Sequence, residues 1–150
     1  MDGAPSLNRL SFSATNHCLT GCGIGEVLGL VLATWWGWAD VPSIALAVVL
    51  AFFFGYSLTL WPLLRSGTGL RAAVGIALAA DTLSIAVMEI VDNAIVVGWP
   101  DAMDAGLGDA LFWGSLAAAL AIAYGPTFFT NRTLIARGRG HALAHGAHGH

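Results

Sequence analysis

Charge is what this sequence is shortest of. It has no lysine, its six basic residues are all arginine, and charged side chains make up 10% of its 150 residues, against about 25% in soluble domains. Such a chain cannot cover a globule with a hydrated surface. With 57% apolar residues and a mean hydropathy of +0.73, most of its surface has to face lipid, which excludes an ordinary soluble domain. No clustered basic face is present, so no nucleic-acid partner is expected. Nor are the usual enzyme signatures present. There is no nucleophile elbow, no phosphate-cradling loop for a nucleotide or flavin, and no zinc-protease helix. A haem would need two axial ligands where only His17 lies near the membrane. The expected class is therefore non-enzymatic.

Uninterrupted apolar stretches of about 20 residues predict four spans, at 18–39, 43–64, 72–99 and 109–130. Turn chemistry separates them: Ala39-Asp40-Val41-Pro42, then Arg65-Ser66-Gly67-Thr68-Gly69, then the acidic segment from Trp99 to Asp109. Short connections make neighbours antiparallel, so the expected fold is all-α, a polytopic four-transmembrane-helix bundle over residues 17–131. Residues 1–16 and 132–150 flank it. Arg9, Arg65, Arg71, Arg132, Arg137 and Arg139 all fall on one side of that topology, while Asp40, Asp101, Asp104 and Asp109 fall on the other. By the positive-inside rule both termini are cytoplasmic, N-in and C-in, in a multi-pass protein of the inner cell membrane. Trp35, Trp36, Trp38, Trp99 and Trp61 lie where interfacial aromatics belong. The N-terminus lacks a small-residue cleavage site, so span one is expected to remain.

Span one places Cys18, Cys22 and Glu26 at successive i, i+4 positions, one stripe on a helix. Gly21, Gly25 and Gly29 form a small-residue track beside it, which lets a neighbouring backbone approach and turns the polar stripe inward. Two thiols one turn apart, completed by His17 or Met88, suit a soft cation, with Cu(I) favoured and zinc next. The competing reading is that both cysteines are small core residues and His17 is interfacial. A disulfide is poorly served by i, i+4 geometry.

Span three carries Asp81, Ser84, Met88, Glu89, Asp92 and Asn93 in an otherwise apolar helix. Each ionised group near the bilayer centre costs at least about 2.5 to 3.5 kcal/mol on insertion scales, and no arginine lies within a span to pair with one. Protonation or a bound cation must compensate. Counting from the starts of the apolar runs puts Glu26 and Asp81 both roughly 12 to 15 Å deep, so they are expected to meet, with Glu89 and Asp92 extending an ion or proton path outward. Ser84 and Asn93 also read well as interhelical hydrogen-bonding residues. Spans two and four offer mainly packing hydroxyls such as Thr59, and Gly114, Ala118 and Ala121 as a close-packing face. The tail holds four of the five histidines, among them His141 and His145, a compositional candidate for metal capture or a solvated end.

The runs His17-Cys18-Leu19-Thr20-Gly21-Cys22 with Gly25-Glu26, Ala80 through Glu89 with Val91-Asp92-Asn93, Asn131-Arg132, and Arg139-Gly140-His141-Ala142 resemble a bacterial membrane family, the domain of unknown function 4396. The resemblance covers about residues 16–145 and implies a small helical membrane protein using these Cys, His and acidic positions. It implies no activity. The residues themselves point first to binding or translocation of copper or zinc. The alternatives are a proton- or ion-conducting component and a non-catalytic subunit of a membrane complex. Lipid is one partner, and a homo-oligomer or a membrane-complex partner is the other.

Overall fold

The computed structural model describes residues 6–137, and those residues form four helices. They are α1 (Leu7–Trp36), α2 (Asp40–Arg65), α3 (Leu70–Gly98) and α4 (Ala110–Ala136). Each is long and apolar enough to cross a membrane, which makes this a multi-pass membrane protein. Two helices extend beyond their apolar runs, α1 starting at Leu7 and α4 ending at Ala136. Hydropathy marks where lipid begins, whereas a helix continues as long as its polar groups are satisfied. Ser6 caps α1 by accepting from the Arg9 N–H, and Ser11 and Thr15 donate back to the carbonyls of Leu7 and Ser11, both at 2.7 Å.

The first turn also differs from the expected Ala39–Pro42. It is made by Gly37, whose φ of 71° lets α1 end in a Schellman motif, with Trp38 N–H donating to Ala33 O and Gly37 N–H to Thr34 O. Asp40, Val41 and Pro42 already belong to the first turn of α2. Proline loses no helical hydrogen bond there, and Asp40 faces the positive end of the helix dipole. Gly67, at φ 91°, closes α2 in the same way.

The ring order is α1–α2–α3–α4, with α1 touching α3 across the diagonal; among the described residues α2 and α4 have no packing contact. The helices that carry the acids thus form the inner pair. Both described ends of the chain and Arg9, Arg65, Arg71, Arg132 and Arg137 lie at one end of the bundle, and the 99–109 loop with its aspartates lies at the other. Large apolar side chains such as Trp35, Phe53, Trp61, Ile90 and Phe129 point outward, while the buried set is mainly Ala, Gly, Ser, Thr and Cys. Lipid solvates the large residues, so close packing of small ones holds the helices together.

That packing is tightest between α1 and α2. Gly21, Gly25 and Gly29 lie against Gly55, Ala51 and Ala47, and a Cβ added to Gly21 would stand 2.8 Å from the Gly55 Cα. At Gly25 it would meet the Ala51 backbone, which cannot yield. On α4 the buried stripe is Ser115, Ala119, Ala123, Thr127 and Asn131. Gly114 and Ala121, expected to pack, are exposed instead. A four-residue spacing of small and hydroxyl side chains, not glycine content, determines which face of α4 turns inward. Gly25→Val is expected to lower unfolding stability in detergent by about 1–3 kcal/mol or more through overpacking. Gly75→Ala, at a position with nothing within 4 Å of the new Cβ, is expected to leave it unchanged or slightly higher, both read by thermal unfolding.

Candidate functional site

On α1 the glycine track and the Cys18–Cys22–Glu26 stripe are neighbours, one residue or about 100° apart. Once the glycines are covered by α2, the stripe has to face the bundle interior. It meets the acidic face of α3 there. Cys18, Cys22, Asp81, Ser84, Met88 and Asp92 are 0% exposed, Glu26 2% and Glu89 3%.

The depth expected for Glu26 is corrected by the register of the two helices. Cys18 stands as far from Leu7 as Asp81 does from Leu70, so α1 and α3 are aligned by their helix starts and not by the starts of their apolar runs. Cys18 therefore lies level with Asp81, and Glu26 is brought to Asp92 and Glu89. Cys22 lies between these levels, beside Glu89 and near Cys18. At the arginine-rich side of Asp81 comes the Thr59 hydroxyl of α2, which shares a 2.8 Å hydrogen bond with His17 Nε2.

The result is a file of polar side chains through the bundle, from Glu26, Asp92 and Glu89 past Cys22, Cys18 and Asp81 to Thr59 and His17. Among the described residues, Glu26 Oε2, Glu89 Oε1 and both Asp92 oxygens receive no hydrogen bond. Half-buried Asn93 donates to the Glu89 carbonyl at 2.8 Å and reaches its Oε2 at 3.4 Å. Unsatisfied buried carboxylate oxygens in a membrane interior are costly unless a proton or cation reaches them.

The His17 ring is turned onto α2 by its hydrogen bond to Thr59, and as a residue next to Cys18 it points about 100° away from that thiol. Both cysteines are free thiols, packed with Met88, Ile85, Ala51 and Ala123 in one cluster. Among the described residues no three His, Cys, Asp or Glu side chains form a group that could hold a metal ion. His141 and His145 lie outside the described residues.

Toward the arginine-rich end a second polar device ties three helices. Ser84 of α3 donates to Asn131 Oδ1 at 2.5 Å, and Asn131 Nδ2 donates to Thr15 Oγ1 of α1 at 3.1 Å. Asn131 also sits beside the Cys18 thiol. Neither Asn131 nor Thr15 stands out as a site residue by sequence pattern, and Thr59 reads there as a packing hydroxyl. Asn131 falls past the predicted end of span four, though it continues that helix's four-residue stripe and belongs to one of the runs that carry the family resemblance, two signals that point to it. Asn131→Ala leaves the Ser84 and Thr15 hydroxyls without their partner, and an unfolding titration is expected to show a loss of about 0.6 to 1.7 kcal/mol; no loss would remove Asn131 as an interhelical tie.

No curated protein and no solved structure shows significant similarity to the chain. A family model does match, over residues 8–140, and the match takes in the thiols, every buried acid and Asn131. On that match the chain belongs to the family of the domain of unknown function DUF4396.

Proposed function

We propose that the protein moves protons, or a cation exchanged for protons, across the membrane by way of the carboxylates of α1 and α3, and that it is not an enzyme. The observation that carries this reading is geometric: Cys18, Cys22, Glu26, Asp81, Glu89 and Asp92 are all buried in the bundle interior, and among the described residues Glu26 Oε2, Glu89 Oε1 and both Asp92 oxygens receive no hydrogen bond. Proton transfer needs groups that can both give and take a proton, and carboxyl, thiol, hydroxyl and imidazole side chains all do so. It needs no open pore, so one narrow bundle suffices without an oligomer. Among the described residues, Glu26, Glu89 and Asp92 also have no arginine beside them to fix their charge. With the arginine-rich end in the cytoplasm of the inner membrane, as the charge bias favours, the carboxylates are reached from the outside and His17 lies toward the inside.

Binding or translocation of a soft metal, Cu(I) before zinc, is the second reading. It is favoured by one feature, the packing of Cys18, Cys22 and Met88 into a single cluster. A subunit that only docks on other helices is less favoured, because its glycine track is already covered by α2.

Reconstituted in liposomes with an internal pH-sensitive dye, the protein is expected to dissipate an imposed proton gradient. Glu26→Gln and Asp92→Asn should each slow this at least tenfold, and the Cys18→Ser, Cys22→Ser double variant should retain it, since hydroxyls relay protons. Wild-type flux that is indifferent to both acid substitutions would refute the proposal. Stoichiometric bound copper that disappears in the double cysteine variant would establish the metal reading.

A further inference from the structure

The aspartate-bearing end of the bundle holds a cavity of about 350 Å³, lined by all four helices and the 99–109 loop. That volume belongs to small-molecule pockets, which run roughly 300–1,000 Å³. Its lining contains no arginine, lysine or histidine. Acids occur at two heights, with exposed Asp40 and Asp104 at the rim and Glu26 at the floor. Glu26 is 2% exposed, and its Oε2 lacks a hydrogen-bond donor among the described residues. The acids at the rim would concentrate any cation, while the buried acid at the floor needs one.

The walls between rim and floor restrict the kind of cation. Leu30, Ile44 and Val96 are aliphatic, and Trp38 and Phe112 add aromatic surface. A metal ion requires several ligands converging on one point, whereas Asp40 and Asp104 stand at the rim, away from Glu26, and among the described residues no three His, Cys, Asp or Glu side chains form such a group. An ammonium group attached to an apolar body fits better. Its head pairs with the buried carboxylate, its body replaces water along the aliphatic wall, and aromatic faces attract it by cation–π interaction on the way in.

We propose that this cavity is a binding site for a small amphipathic organic cation, an alkyl- or arylammonium compound, with its charged head at Glu26. The inference deepens the cation-path reading, because the head occupies the carboxylate that begins that path, but binding is measurable without any flux.

The test uses full-length protein in nanodiscs, titrated with benzyltrimethylammonium and followed by tryptophan fluorescence. Parallel titrations use its neutral isostere neopentylbenzene and Mg²⁺. Saturable quenching by the ammonium is expected, with affinity at least tenfold weaker for the neutral compound and for Glu26→Gln. Leu30→Trp narrows the cavity without touching an acid, and should abolish saturation in protein whose helicity and thermal unfolding match wild type. Linear quenching equal for the charged and neutral compounds would show partition into lipid and overturn the proposal. Saturation by Mg²⁺ but not by the ammonium, or ammonium binding unchanged in Glu26→Gln, would also overturn it. Proton flux without ammonium binding removes only this inference. Ammonium binding without flux supports it and removes the path.

Discussion

The structure depends on how the charge of Glu26 and Asp92 is compensated. Two carboxyls from the diagonal helices lie against each other, with Glu89 alongside, in a bundle interior where no basic side chain of the described residues stands beside them. Leaving them ionised and unpaired would cost several kcal/mol, comparable to the net stability of a small domain. A shared proton or a captured cation turns that liability into a contact between α1 and α3. The folded state is thereby coupled to proton and cation supply, as the proposed function requires.

The small-residue packing makes this arrangement possible. Gly21, Gly25 and Gly29 bring the α1 and α2 backbones together, which fixes the rotation of α1 and leaves the Cys18–Cys22–Glu26 stripe only the interior to face. A larger side chain at any of these glycines would separate the helices and let lipid or water reach the acids. At the arginine-rich end, Ser84, Asn131 and Thr15 hold α3, α4 and α1 together, while the opposite end opens into the cavity above Glu26. The bundle is thus tied at one end and open to a cavity at the other, an asymmetry that the proposed path would use.

Much of this was legible in the sequence, for identifiable physical reasons. Four apolar runs and the one-sided arginines specify four helices and their antiparallel order, because hydrocarbon thickness leaves few alternatives. The stripe of Cys18, Cys22 and Glu26 and the acidic face of α3 follow from helical periodicity alone. Register did not follow, since apolar runs report the lipid boundary and α1 starts at Leu7, well before its run. Counting from the apolar runs therefore pairs Glu26 with Asp81, whereas the helix starts pair it with Asp92 and Glu89. The Asn131 tie and the pairing of His17 with Thr59 depend on side chains from helices distant in sequence, and no local pattern encodes such contacts. Family membership supports the architecture but, the family being of unknown function, adds no chemistry.

The most direct test of the central claim is infrared difference spectroscopy of metal-stripped protein in lipid at neutral pH, comparing wild type with Glu26→Gln and Asp92→Asn. The account predicts a protonated-carboxyl C=O band in the wild type that is lost or shifted in both variants. A wild-type spectrum in which all buried carboxyls are ionised, with no bound cation, would contradict it.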